Sequence, residues 1–267
     1  MPSLLKRLLA ASQHFGDEDP MRTRAVMRRK ADPRVVEYML GRNIADWPKP
    51  GRIPANPELE IKQRVCVPIR VHGLLLGFLF LIDESLRDWE VTRACAVAEE
   101  AALILYRRLV LHEREQGREE ALLRDLVAAD PAARVRARQE IEEDGLLVSQ
   151  AHTVLVAVEI VDPPGDREDA EIALRTATEH VKRAEPAGTV LSLVQGRRAV
   201  LLRVGDHPPD TAARELTQRV IAELHAQLDV SRCVAGIGTA QSGPDAPAIS
   251  HEQARASARR CALAGAG

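Results

Sequence analysis

Aromatic side chains are scarce in this sequence: two Trp, two Tyr and three Phe make up 3% of its 267 residues. A chain so poor in rings must build its cores from Ala, Val, Leu and Ile. It also lacks the stacking platforms that hold single-stranded nucleic acid. An excess of either charge is missing as well, since 37 basic residues stand interspersed with 39 acidic ones for a formal net charge of −2. No electrostatic footprint for a DNA backbone is visible at the level of the chain. The doublets Arg28-Arg29, Arg107-Arg108, Arg197-Arg198 and Arg259-Arg260 read as solvated faces and turns, because charge runs usually face water. No stretch approaches the ~18 apolar residues of a membrane span, and no sustained apolar segment follows Met1. The protein is therefore expected to be soluble and cytoplasmic. Its cysteines, Cys66, Cys95, Cys233 and Cys261, form no CxxC and sit among apolar neighbours. They read as small buried hydrophobes in a reducing compartment, not as a disulfide frame or a zinc site.

With 45% hydrophobic residues, the chain can bury two modest cores. Leu4 to Ala11 is short and apolar, and reads as a strand or the end of a helix. Asp19-Pro20 and Asp32-Pro33 each open a helix, the first to about Lys30 and the second stopping at Gly41. Asp accepts a free backbone N–H at the cap, and Pro at the first helical position has none to leave unpaired. Ile44 to Pro57 reads as loop, broken by Pro48, Pro50, Pro54 and Pro57. The clearest hairpin follows: Arg64–Arg70, RVCVPIR, and Leu74–Ile82, LLLGFLFLI, turn at His72-Gly73. Val65, Val67 and Ile69 alternate with Arg64, Cys66 and Arg70, the period of a strand packed on one face. Pro68 is expected at an edge or bulge, and Gly77 at a close approach of another backbone.

From Leu86 to about Glu115 the period turns helical, with Trp89, Val97, Ala101, Ile104, Leu105 and Leu109 as the apolar stripe. Leu103, Val110 and Leu111 fall outside it and call for a partner, so a homodimer along this helix is expected. The segment HEREQGREE, His112 to Glu120, is a polar waist with the pattern of an exposed connector. Ala121–Val127 resumes the apolar pattern, and Asp130-Pro131 caps a helix ending before Gly145.

Beyond that, strand and helix alternate. Strands are predicted at Thr153–Val161, Thr189–Val194, Ala199–Val204 and Ser231–Thr239, and helices at Glu168–Ala184, Thr211–Leu228 and Ser250–Ala264. Ser250 with Gln253 reads as a capping box for the last helix. The order β-α-β-β-α-β with a trailing helix is the ferredoxin-like plan, so the fold class is α/β in the α+β sense. Gly236-Ile237-Gly238 lacks the third glycine of a dinucleotide fingerprint and reads as close packing of strand against helix.

Two stretches resemble a known family. The run LLAASQHFGDEDPMRTRAVMRR, then ADPRVVEYMLG, then RIPANPELEIKQRVCVPIRVHGLLLGFLFLIDESL is similar to the sensor half of PucR/CdaR-type transcriptional regulators, a GAF-like domain there. The segments RAVLLRV, VAGIGTA and SHEQARASARRCALA resemble the degenerate GGDEF-like domain of the same family. The resemblance implies a GAF-like sensor domain at 1–110, a helical linker at 111–148 and a GGDEF-like ferredoxin-fold domain at 149–267. It also implies a small-molecule effector. Family members finish with a helix-turn-helix, and this chain stops at Gly267, so DNA is expected to be met only through a domain absent here.

The ferredoxin-like plan also carries diguanylate cyclases, which need acidic residues at the end of the first strand and a Gly-Gly-Asp/Glu-Glu-Phe hairpin for metal-assisted chemistry. Glu159 and Asp162 stand near the first requirement, but the hairpin reads Gln195-Gly196-Arg197-Arg198, with basic residues where carboxylates are needed. The eight histidines show no HxxxH or HExxH, and neither a GxSxG nor a GxxxxGK[ST] motif occurs. No enzymatic activity, catalytic residue, metal ligand or cofactor is therefore expected. Ligand-binding residues stay unassigned: Trp47 and Tyr38 read equally as pocket lining or as core cover. A purely structural interaction module is the alternative to a sensor.

Overall fold

Asp19 and Asp32 open the first two helices through the groups the Asp-Pro pairs predict. In the computed structural model, which describes residues 8–13, 19–82, 85–147, 152–161, 167–205, 210–227 and 233–264, helix α1 spans Pro20–Arg28 and α2 spans Pro33–Leu40. The Asp19 carboxylate accepts from Arg22 N–H at 2.7 Å, and that of Asp32 from Arg34 N–H at 2.9 Å. Leu8 to Ala11 form neither strand nor helix, and Leu4 to Arg7 lie outside the described residues. The chain divides into two compact units, Met1–Glu113 and Arg114–Gly267.

The first unit holds a three-stranded antiparallel sheet in the order β1-β2-β3, from Gly51–Ile53, Arg64–Val71 and Leu74–Leu81. Strand β1 corrects the reading of Ile44–Pro57 as loop alone. Its three residues fit between Pro50 and Pro54, and it is fastened by the burial of Ile53 and by Trp47, whose ring lies where a Cβ on Gly51 would sit. The hairpin turns as expected, with positive φ at both His72 and Gly73, the conformation of a type I′ turn. Pro68 lies beyond the reach of β1, one residue before an irregularity in the ladder at Ile69/Arg70. Gly77 meets only the Ile69 Cδ1 at 3.8 Å, so no backbone approaches it closely.

The sheet is covered on both faces rather than one. Val65, Val67 and Ile69 pack with Ala94, Ala98 and Ala102 of the following helix, while Cys66 joins Met21, Val35, Met39 and Ile44 on the other side. Arg64, expected to face water, is buried because Asp19 meets it: the guanidinium donates to the carboxylate that also accepts from Lys62 N–H.

Helix α3 runs from Asp88 to Leu126, past the expected end at Glu115 and straight through Gly117. Its buried line is Ala94, Ala98 and Ala102, with Trp89, Val97 and Ile104 exposed. Of the expected stripe, Ala101 and Leu105 pack against this core, whereas Trp89, Val97 and Ile104 do not, because bulk was taken as the sign of burial while alanines let the helix lie close to the hairpin.

In the second unit, α4 spans Pro131–Glu143, capped by Asp130 through Ala132 N–H at 3.0 Å and closed by Gly145 at φ +60°. The strands β4 His152–Ile160, β5 Val190–Gln195, β6 Arg198–Gly205 and β7 Cys233–Ile237 form one sheet in the order β5-β6-β4-β7, every neighbour antiparallel. Helices α5 Arg167–Arg183 and α6 Asp210–Gln227 bury Val154, Val156, Val158 and Ile160 on one face. This is the ferredoxin-like plan, and the chain is of α+β class, with seven α-helices in all among the described residues.

On the opposite face, the end of α3 and helix α4 cover Leu155, Leu191, Leu193 and Leu202 through Leu122, Leu123, Leu126 and Ile141. Helix α7, Ala246–Ala264, covers Ala157 with Ala254 and Ala258. It begins four residues before Ser250, so Ser250 is not a cap. Ala246, Ser250, Ala254 and Ala258 are all buried and form an i, i+4 ridge of small side chains. A Cβ on Gly236 would lie 2.0 Å from the Ala254 carbonyl oxygen, and one on Gly238 2.2 Å from that of Ser250. The two glycines serve strand-to-helix packing, as the sequence reading held.

Candidate functional site

The turn joining β5 to β6 stands where a GGDEF hairpin would hold its carboxylates. Gln195 pairs with Arg198 at the ends of the two strands, leaving Gly196 and Arg197 as the turn. Gly196 takes φ +57°, the first-position conformation a type II′ turn asks of glycine. Its N–H donates to Glu171 Oε2 at 2.7 Å, which fixes the turn to helix α5. The Arg197 carbonyl accepts from Ile160 N–H at 3.0 Å, and its guanidinium donates to the Val161 carbonyl at 3.3 Å.

Glu159 stands opposite Arg198 in the β4–β6 ladder, and its carboxylate accepts from the Arg198 guanidinium at 3.0 Å. The carboxylate at the end of the first strand of this sheet is thus held by an arginine. Asp162, its companion in the sequence reading, lies outside the described residues. Among the described residues, no group of three or more His, Cys, Asp or Glu is placed to hold a metal ion. A pair of basic side chains around one engaged carboxylate attracts anions and repels divalent cations.

Beside the turn, the sheet face left open between the end of α3 and helix α7 forms a concavity of about 720 Å³. Its floor is apolar, with Ala157 and Leu193 buried and Val200 half-buried. Around it stand Arg124 from α3, Arg197 and Arg198 from the turn, and Arg255 and Arg259 from α7, five arginines against the single carboxylate of Glu159. His251 lines the same wall, and its imidazole is held below the usual histidine range by burial and by the neighbouring Arg255. Sequence reasoning missed this site. It read Arg259 only within the doublet Arg259-Arg260 as a solvated face, and nothing linked that residue to Arg255 or Arg124.

The other sequence candidates are dispersed. Trp47 and Tyr38 pack against the core of the first unit, with Arg42 over the Tyr38 ring at 4.4 Å. His72 is a turn residue and His225 lies in the last turn of α6, as expected, while His14 and His207 lie outside the described residues. All four cysteines are free. Burial pushes the Cys66 thiol up to about 12 and that of Cys233 up to about 11. The reading of four buried hydrophobes holds for Cys66 alone: Cys95 and Cys233 are half-buried, and Cys261 is exposed on α7. No described helix is long and apolar enough to cross a membrane.

No curated protein matches the chain. Residues 129–259 match the family model of the GGDEF-like domain, and this span, from the cap of α4 to the Arg259 turn of α7, is a GGDEF-like domain.

Proposed function

We propose that the chain is the sensory and dimerising portion of a PucR/CdaR-type transcriptional regulator, with no catalytic activity of its own. The observation that carries this reading is the turn Gln195-Gly196-Arg197-Arg198, with Arg198 on Glu159 at 3.0 Å, inside the GGDEF-like domain. Metal-assisted nucleotide cyclisation needs carboxylates there to balance the charge of the ions and the attacking oxygen. Arginines at those positions supply no ligand for such ions.

The first unit takes the part of the GAF-like sensor domain, and α3 carries the signal toward the GGDEF-like domain. Regulators of this type meet DNA through a helix-turn-helix domain. A homodimer along α3 is supported by four exposed apolar side chains, Val97, Leu103, Ile104 and Leu111, spaced near multiples of seven. Pairing two copies antiparallel about Ile104 sets Glu100 of each against Arg108 of the other. Parallel pairing sets Glu100 against Glu100, so charge favours the antiparallel arrangement.

The purified chain is to be incubated with GTP and Mg²⁺ or Mn²⁺ and the products read by mass spectrometry. Unchanged GTP is the expected result. A cyclic dinucleotide would overturn the reading.

A further inference from the structure

We propose that the groove between the end of α3 and helix α7 binds an organic anion, its charged head on Arg124, Arg255 and Arg259 and its apolar body on Ala157, Leu193 and Val200. The inference rests on the GGDEF-like domain having no catalytic role, and it adds a ligand site of stated chemistry outside the first unit.

Charge is the first argument. The chain as a whole carries −2, yet this one concavity gathers five arginines and one carboxylate. Arg198 is engaged by Glu159 and Arg197 by a carbonyl. Arg124, Arg255 and Arg259 have no acidic partner among the described residues, although ion pairs are plentiful elsewhere in the same unit, such as Arg134 with Asp245 at 3.0 Å. Arg255 and Arg259 are one helical turn apart on α7, so their guanidinium groups project along the same wall. An arginine fork matches a carboxylate or phosphate through two parallel N–H donors.

Shape is the second argument. A volume of about 720 Å³ falls within the roughly 300–1,000 Å³ range of small-molecule sites, which pair an apolar lining with a few oriented polar groups. A bare phosphate would leave Val127 and Val200, both half-buried at this concavity, in contact with water. A ligand with an apolar body covers them and gains about 25 cal/mol per Å² removed from water. The floor is built by the same feature that narrows the fold nearby: the small residues of α7 bring the helix backbone down onto β7, and its long side chains rise as the groove wall.

Anilinonaphthalene sulfonate, an aromatic body with one fixed negative charge, is the probe, titrated by fluorescence into the full chain. One saturable site per chain is expected, weakened by added salt and competed by decanoate but not by inorganic pyrophosphate. The double variant Arg255→Gln/Arg259→Gln, both positions exposed, is expected to bind at least tenfold more weakly with an unchanged circular dichroism melt. Arg255→Lys/Arg259→Lys should restore part of the loss. Binding of the Gln variant within twofold of the parent would overturn the proposal. Displacement by pyrophosphate as readily as by decanoate would also overturn it, as a site for bare phosphate. Neither result touches the regulator reading, which fails on the appearance of a cyclic dinucleotide.

Discussion

Replacing Ser250 by Ala removes a single oxygen from the middle of α7, and the structure indicates which backbone groups are then left unpaired. Ser250 is fully buried; its hydroxyl accepts from Leu155 N–H at 2.9 Å and donates to the Thr239 carbonyl at 3.0 Å. Leu155 sits in β4, the strand between β6 and β7. At this point the ladder to β7 is half made: Gly238 N–H reaches the Leu155 carbonyl at 2.9 Å, while the Leu155 N–H takes the serine instead of a strand carbonyl. Ladder pairing resumes at Thr153 and Gln241. The hydroxyl thus fills one missing rung of the sheet.

In the Ala variant the Leu155 N–H is left in a core from which water is excluded, costing about 1–3 kcal/mol. Thr239 is exposed, so its carbonyl finds water and adds little. Ala is smaller by one oxygen and opens no cavity of consequence, so the expected total is about 2 kcal/mol. For a unit of this size that lowers Tm by roughly 4–8 °C. Far-UV circular dichroism during urea and thermal unfolding is the assay. Gln253→Ala is the control, because it breaks two bonds to the same Thr239, at 2.9 and 2.7 Å, that lie exposed; its expected cost is below about 0.5 kcal/mol. The reasoning is refuted if Ser250→Ala lies within about 0.5 kcal/mol of the parent, or if Gln253→Ala costs as much.

Gly236→Ala should destabilise the GGDEF-like domain by more than about 3 kcal/mol, because its Cβ would meet helix backbone at 2.0 and 2.4 Å, whereas Gly77→Ala, with only a side-chain atom at 3.8 Å, should stay within about 0.5 kcal/mol; thermal melts of the two variants make the comparison. Asp19→Asn keeps an oxygen able to cap α1 but leaves the buried Arg64 guanidinium without its counter-charge, and a loss of about 3–5 kcal/mol is expected. Urea unfolding followed by tryptophan emission reads this change in the first unit alone, since Trp47 and Trp89 are the two tryptophans of the chain. Titration with an aromatic disulfide at neutral pH should label Cys261 first and leave Cys66 unlabelled, and Cys261→Ser should abolish the fast phase. Ile104→Arg, on the exposed face of α3, should shift sedimentation from dimer to monomer without altering circular dichroism. A parent chain that sediments only as monomer at micromolar concentration removes the basis of that last expectation.

What the sequence made legible was whatever announces itself through bulk, period or backbone chemistry. The Asp-Pro caps, the hairpin at His72-Gly73 and the β-α-β-β-α-β order of the second unit all do so, and the same holds for the turn at Gln195–Arg198, where the side chains themselves are the signal. The helix faces that were misread share one cause. Ala94, Ala98 and Ala102 on α3, and Ala246, Ser250, Ala254 and Ala258 on α7, are the buried faces of their helices, yet none carries a strong hydrophobic signature. Periodicity reasoning gives weight to large side chains, so it followed Trp89, Val97 and Ile104 to the wrong face and took Ser250 for a cap. Helices seated through alanine approach their sheets closely, and long side chains then have no room beneath them. On α7 those displaced side chains are Arg255 and Arg259, whose distant partner Arg124 no local pattern could reveal; on α3 they are Val97, Leu103, Ile104 and Leu111. The same choice of small buried residues that hid the packing therefore puts a charged groove on one helix and an apolar seam on the other, the two surfaces on which the anion site and the dimer are proposed.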